Sequence, residues 1–122
     1  MPRGGIPRLV ERSPVAARIG YELVSSEDGR SLMVLEASER LANSMGTLHG
    51  GCLCDFADEA MGWALMSTLE DGESFTTLEL KINYLRPVWD TKLSAHGRVV
   101  NRSPRVALAG LEEEPLLQKG KP

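Results

Sequence analysis

The sequence predicts an α+β fold in which one long helix lies against an antiparallel sheet. From Leu53 to Leu69, apolar residues recur at helical spacing, and the acidic run at residues 70–73 ends the pattern. Short segments rich in β-branched and apolar residues flank this stretch, and turn residues separate them. One helix among consecutive strands with short connections is typical of an antiparallel sheet that packs on a helix.

Most of the remaining chain is predicted to form strands. The predicted strands are Tyr21–Ser25, Leu32–Ala37, Phe75–Tyr84, Lys92–Asn101 and Arg105–Leu111. An Asp-Gly turn joins the first two strands into a hairpin. A short helix is predicted from Ser13 to Arg18, and polar residues at 38–47 indicate a loop. We expect residues 1–12 to form a flexible arm and residues 13–122 to form a single domain.

Composition and charge exclude several classes of protein. The 122 residues, 42% of them hydrophobic, suffice for one compact core, and the net charge of −3 argues against a nucleic-acid-binding protein. The longest uncharged apolar stretch, Ala60–Leu69, is too short to span a membrane. Cys52 and Cys54 fit neither a disulfide framework nor a zinc site. We therefore expect a cytoplasmic protein with reduced thiols, no metal site and no membrane partner.

The most distinctive motif is the turn from Asn43 to Gly51, which reads Asn-Ser-Met-Gly-Thr-Leu-His-Gly-Gly. Gly50 and Gly51 lack Cβ, so a substrate can approach their backbone amides closely. If a helix begins here, its first amides carry the positive end of the helix dipole and can stabilise an oxyanion. The alternative is an ordinary loop-to-helix junction in which the glycines only form the turn.

Three carboxylates follow this turn on the predicted helix. On a helical wheel, Asp55 and Glu59 lie opposite the apolar stripe, where we expect a solvated or interface face. Asp58 lies at the margin of the stripe, beside Met61 and Leu65. Asp58 is therefore the carboxylate best placed to face a packed interface.

Taken together, these residues resemble the hotdog-fold acyl-CoA thioesterases of the PaaI type, in the 4-hydroxybenzoyl-CoA thioesterase superfamily. The resemblance rests on the motif Asn-x2-Gly-x2-His-Gly-Gly ending at Gly51, on Asp58 nine positions after the histidine, and on the run Ile82–Pro87. It implies a long central helix wrapped by a curved antiparallel sheet, assembled as a homodimer or homotetramer. It also implies hydrolysis of coenzyme A thioesters at sites between two subunits, without a metal or redox cofactor.

The resemblance further implies roles for individual residues. Asp58 matches the catalytic carboxylate, which acts either as nucleophile or as general base toward water. The amide of Gly50 is expected to donate to the oxyanion, and Thr77 matches a hydroxyl that positions water. Asn43 is expected to orient water or the carbonyl, and His49 to hold the turn through its ring nitrogens.

Further residues are expected to bind the substrate. They are Gly51, Met61, Leu65, Arg86 and Arg102. The depth of the acyl pocket is expected to depend on Phe56 and Trp63 together with the apolar members of this set. Arginines bind the phosphates of a coenzyme A ester well, although ordinary surface charge explains them equally. Simpler explanations exist for two of the predicted catalytic residues: Asn43 can tie the loop, and Asp58 can be a solvated carboxylate on the helix surface. Because Thr76 is adjacent, either threonine can occupy the position assigned to Thr77.

The C-terminal end departs from that family. Pro104 interrupts the chain, and the run Glu112–Pro115 is predicted to cut the following strand short. We therefore expect shortened, displaced or missing strands at this edge of the sheet, where pairing depends on a complete strand.

The sequence predicts a thioesterase that hydrolyses an acyl-CoA or aryl-acyl-CoA to the free acid and coenzyme A. A non-catalytic protein that binds acyl-CoA on the same fold is the first alternative, and a dehydratase of hydroxyacyl thioesters is the second. The sequence leaves the acyl group open, and also the choice between dimer and tetramer.

Overall fold

The structure is an α+β fold with one long helix packed on an antiparallel sheet, as predicted. It is a computed structural model that describes residues 13–77, 79–81, 88, 91–103, 105 and 107–115. The helices are α1 (Pro14–Ile19) and α2 (Gly50–Met66), and the strands are β1 (Glu22–Glu27), β2 (Arg30–Ala37), β3 (Thr91–Arg102) and β4 (Ala107–Pro115). The strands pair in chain order, and every pair is antiparallel. No helix in these ranges is long and apolar enough to cross a membrane.

The β1–β2 hairpin confirms the predicted Asp-Gly turn. Asp28 has φ 53° and Gly29 has φ 75°, so both central residues adopt the left-handed conformation of a type I′ turn. The backbone twist of this turn matches the twist of the two strands that it joins. The turn also lies against the end of α2, because the Ser67 hydroxyl accepts a 2.7 Å hydrogen bond from the Gly29 amide.

Helix α2 begins and ends three residues earlier than its apolar periodicity predicts. His49 caps the N-terminus, so the first turn includes glycines that carry no apolar signal. At the other end, the hydroxyls of Ser67 and Thr68 each donate a 2.7 Å hydrogen bond to carbonyls of the last turn. Such local side-chain bonds compete with continuation of the helix.

The helix and the sheet approach most closely at Gly97 on β3. The Ser31 hydroxyl of β2 donates a 2.5 Å hydrogen bond to the Ala60 carbonyl of α2. A Cβ atom at Gly97 would lie 2.6 Å from that same carbonyl oxygen. The largest fully buried side chains of the core are Tyr21, Met33, Leu35, Phe56 and Leu93.

Two strand predictions differ from the structure. The segment predicted as strand Phe75–Tyr84 is irregular at 75–77 and 79–81, and its remaining residues lie outside the described ranges. A strand requires a neighbour that completes its backbone hydrogen bonds, and none of the four paired strands includes these six residues.

The prediction that the acidic run shortens the last strand is wrong, because β4 continues to Pro115. Its backbone pairs with β3 as far as Leu93↔Pro115, and Ser94 pairs with Glu114. The long β3 supplies hydrogen-bond partners for the whole length, and this outweighs the low strand propensity of glutamate. Charged residues are also common on edge strands. The predicted arm at 1–12 and the residues after Pro115 lie outside the described part of the chain.

Gly97→Ala should destabilise the fold by about 1–3 kcal/mol, because overpacking of this size forces the helix away from the sheet. The free energy of unfolding by urea measures the effect. The control is His96→Ala, which changes the adjacent exposed residue of β3. Equal stability of Gly97→Ala and the wild type would contradict the close approach.

Candidate active site

The loop before α2 is held together by Asn43. Its side-chain oxygen accepts hydrogen bonds from the amides of Met45 (2.9 Å) and Thr47 (3.1 Å). Its side-chain nitrogen donates to the Thr47 hydroxyl at 2.9 Å. These contacts are the loop tie that is usual for asparagine. They bring no group from the middle of α2 to Asn43, so its predicted role in orienting substrate stays a prediction.

His49 holds the start of α2 through a ring nitrogen. Its Nδ1 accepts a 2.9 Å hydrogen bond from the Gly51 amide, which makes His49 the N-cap of the helix. An accepting Nδ1 carries no proton, so the ring proton of the neutral imidazole lies on Nε2. Gly50 is the first helical residue, where the positive end of the helix dipole lies. The Gly51 amide is engaged by the cap.

Asp58 and Thr77 form the second half of the site. The Thr77 hydroxyl donates a 2.8 Å hydrogen bond to Asp58 Oδ1. Both Thr76 and Thr77 are exposed, and the hydrogen bond identifies Thr77 as the residue in register with Asp58. Asp58 is half-buried in the middle of α2, and within the described residues its Oδ2 atom receives no protein hydrogen bond.

An apolar stripe accompanies Asp58 on the same side of the helix. Met61 and Leu65 follow it at spacings of three and seven residues, and both are half-buried. Neither is among the residues of the core that α2 forms with the sheet, and their predicted contact with the acyl group stays a prediction. Phe56 is fully buried in that core and Trp63 packs against it, so we do not place these two in an acyl pocket.

The other two carboxylates of α2 are engaged rather than solvated. Asp55 accepts a 3.0 Å hydrogen bond from the buried Tyr21 hydroxyl, and Glu59 accepts a 3.2 Å bond from the Trp63 indole nitrogen. Burial raises the pKa of Tyr21 well above its usual range, with smaller contributions from Glu59 and Asp55, so its hydroxyl remains a donor. Within the described residues, no group of three or more His, Cys, Asp or Glu side chains is arranged to bind a metal ion.

Of the two arginines predicted to bind substrate, the structure describes only Arg102. Arg102 donates to the Thr68 carbonyl at 2.7 Å and forms a 2.7 Å ion pair with Glu73. These contacts tie the end of β3 to the segment after α2, and they favour a structural role over phosphate binding. Arg86 lies outside the described residues.

The geometry of α2 divides the predicted catalytic residues into two groups. The first group, Asn43, His49 and Gly50, lies at its N-terminus. The second group is Asp58, eight residues after Gly50, together with Thr77, which is hydrogen-bonded to it. Eight residues span about 12 Å along a helix axis at about 1.5 Å per residue. The predicted oxyanion donor and the predicted base of one chain are therefore two helical turns apart.

A model of the thioesterase superfamily matches residues 45–112, a range that includes both groups except for Asn43. The chain belongs to the thioesterase superfamily. This confirms the predicted family, the hotdog fold and the enzyme class. A conserved protein from Pseudomonas aeruginosa has a similar structure, with a TM-score of 0.79 and 32% identity, over 87% of this chain and 85% of that one.

Two further proteins are similar to this chain. Human acyl-coenzyme A thioesterase 13 is 31% identical over 77 residues, which cover 61% of this chain and 54% of the human protein. The PaaI protein of Escherichia coli, from a phenylacetic acid degradation operon, aligns with a TM-score of 0.75 over 83% of this chain and 76% of that chain. At 22% identity, this last likeness concerns the fold alone.

Glu59→Gln provides a test of the electrostatics around α2. Burial raises the pKa of Glu59, and the hydrogen bond from Trp63 opposes this to a smaller degree. A carboxyl group whose pKa is higher in the folded than in the unfolded state stabilises the fold at pH values below its ordinary pKa. This contribution is lost as the pH rises through the folded-state pKa. The wild type should therefore lose stability relative to Glu59→Gln as the pH rises above about 4.

Urea unfolding at several pH values measures this difference. The matched control is Glu70→Gln at an exposed position, for which we expect no such trend. A constant difference between the wild type and Glu59→Gln would contradict burial of the Glu59 carboxylate.

Proposed function

We propose that this thioesterase hydrolyses acyl-CoA or aryl-acyl-CoA thioesters, with Asp58 as the general base. The contact between Thr77 and Asp58 supports this most directly, since it joins a half-buried carboxylate to a hydroxyl beside an apolar surface. The name of the human relative supports a coenzyme A ester as the substrate class. We propose a cytoplasmic location, consistent with the free thiols of Cys52 and Cys54.

The hydrogen bond between Thr77 and Asp58 favours a general base over a nucleophile. Thr77 gives its proton to Oδ1, so its oxygen lone pairs can accept a hydrogen bond from water. A water that donates one proton toward Thr77 and the other toward Asp58 Oδ2 directs its own lone pair away from both residues. This is the orientation that water needs for attack on a carbonyl.

The proposed reaction has two steps. In the first, the water oxygen bonds to the thioester carbon, a water proton moves to Asp58, and the carbonyl oxygen becomes an oxyanion. In the second, the carbon–sulfur bond breaks, the oxyanion electrons restore the carbonyl, and the thiolate takes the proton from Asp58. The products are the free acid and coenzyme A, and Asp58 returns to its ionised form.

The oxyanion requires a donor about 3 Å from the oxygen of the same carbonyl. Gly50 at the positive end of α2 is the proposed donor, but about 12 Å of helix separates it from Asp58 of its own chain. A thioester carbonyl cannot bridge that distance. We therefore propose that the site combines Gly50 of one subunit with Asp58 of another, in a homodimer or a larger assembly.

Met61 and Leu65 are the residues that we propose to contact the acyl group. They are half-buried, lie on the same side of α2 as Asp58 and are not part of the core with the sheet. In the assembled enzyme, the partner subunit would close the pocket over them.

Asp58→Asn should lower thiol release by a factor of about 100 or more, because an amide does not accept the proton from water. The measurement is thiol release from short-chain, long-chain and aryl-acyl-CoA esters, and the control is Asp71→Asn at an exposed position. Unchanged turnover in folded Asp58→Asn would contradict the role of Asp58. Thiol release ahead of free acid in the first turnover would indicate a covalent intermediate, with Asp58 as the nucleophile.

Gly50→Pro should lower kcat by a factor of about 100 while α2 remains intact. Proline is well tolerated at the first position of a helix, and it removes only the backbone N–H. His49 has φ −62° and ψ 130°, which is compatible with a following proline. Gly50→Ala keeps the N–H and is the control. A kcat of the proline variant equal to that of the wild type would contradict an oxyanion donor at this position.

A further inference from the structure

The segment that carries Thr77 is held at three points, one on β3 and two on α2. Glu73 pairs with Arg102, whose guanidinium also donates to the Thr68 carbonyl just after the helix. The Phe75 ring lies over Gly62, since a Cβ atom there would be 3.3 Å from the Phe75 Cζ atom. Thr77 donates to Asp58. The segment 73–77 therefore runs back along the helix, from its C-terminal end toward its middle.

The spacing of these contacts fits an extended chain laid on a helix. Asp58 and Gly62 are four residues apart, which is about 6 Å along the helix axis. Phe75 and Thr77 are two residues apart, which is about 6.6 Å in an extended chain. Because the two spacings nearly match, a segment that is held at Glu73 can make both contacts with α2 at once.

Arg102 holds Glu73 from outside the segment. Its Nη2 atom lies 2.7 Å from Glu73 Oε1, and its Nη1 atom donates to both the carbonyl and the hydroxyl of Thr68. The Glu70 amide and the Arg102 side chain both lower the pKa of Glu73, so its carboxylate is ionised at neutral pH. One guanidinium thus joins β3, the end of α2 and the turn at Glu73.

We propose that Arg102 is a positioning residue for thioester hydrolysis, which acts through Glu73 to hold the Thr77 hydroxyl on Asp58. The inference rests on the proposed function of Asp58. The ion pair is partly exposed, with 27% of the Arg102 side chain and 39% of the Glu73 side chain accessible. Exposed pairs contribute little to global stability, so loss of this pair changes the position of the segment more than the stability of the fold.

The decisive experiment is a double-mutant cycle on kcat with Arg102→Ala and Thr77→Val. We expect Arg102→Ala to lower kcat about tenfold in the wild type, since small displacements of a catalytic group have effects of this size or larger. In the Thr77→Val background, the same change should lower kcat less than about twofold, because the group that Arg102 positions is already lost. Arg98→Ala removes an exposed arginine from the same strand and should leave kcat unchanged.

Amide hydrogen exchange of residues 68–77 gives a readout that does not depend on turnover. Arg102→Ala should accelerate exchange across this segment, whereas Arg98→Ala should not. Glu73→Gln breaks the same ion pair from the other side and should reproduce both effects, which keeps the test valid if Arg102→Ala folds poorly.

Two results would overturn the inference. The first is an equal fall in kcat on Arg102→Ala in both backgrounds, which would mean that Arg102 acts independently of Thr77. The second is unchanged exchange of residues 68–77 in Arg102→Ala and Glu73→Gln. A failure of the proposed function looks different, because the wild type would then release no thiol or Asp58→Asn would be as active as the wild type.

Discussion

The rigidity of α2 is the constraint on which the account of this enzyme depends. A continuous helix from Gly50 to Met66 fixes the distance from its capped N-terminus to the carboxylate of Asp58. The helix is itself held against the sheet by the buried contact between Ser31 and Ala60, at a point where only glycine fits on β3. Any chemistry that needs both the helix N-terminus and Asp58 must therefore bring them together from separate chains.

The same helix sorts its three carboxylates into different environments. Asp55 accepts a hydrogen bond from the hydroxyl of Tyr21 in the core, and Glu59 accepts one from the indole of Trp63. One carboxylate oxygen of Asp58 accepts a hydrogen bond from the Thr77 hydroxyl, while the other receives no hydrogen bond from the described residues. Environment rather than residue type therefore distinguishes the proposed base from its neighbours, as is common where one carboxylate acts as an acid or a base.

The sequence predicts the local features of this structure well. Apolar periodicity identified α2, and the helical wheel placed Asp58 beside Met61 and Leu65. What it missed are contacts between distant residues: Tyr21 with Asp55 is separated by 34 residues, and Arg102 with Glu73 by 29. No local pattern encodes such pairs. The end of β4 was misjudged for a related reason, since pairing with β3 outweighs the local propensity of its glutamates.

The most direct test is to measure hydrolysis by a purified heterodimer of one Asp58→Asn subunit and one Gly50→Pro subunit. If each site takes Asp58 from one subunit and Gly50 from the other, one of the two sites is intact, and activity should be about half of the wild type. A heterodimer of a wild-type subunit and a subunit with both substitutions should then be inactive. The reverse pattern, an inactive first heterodimer and a half-active second one, would contradict a site shared between subunits.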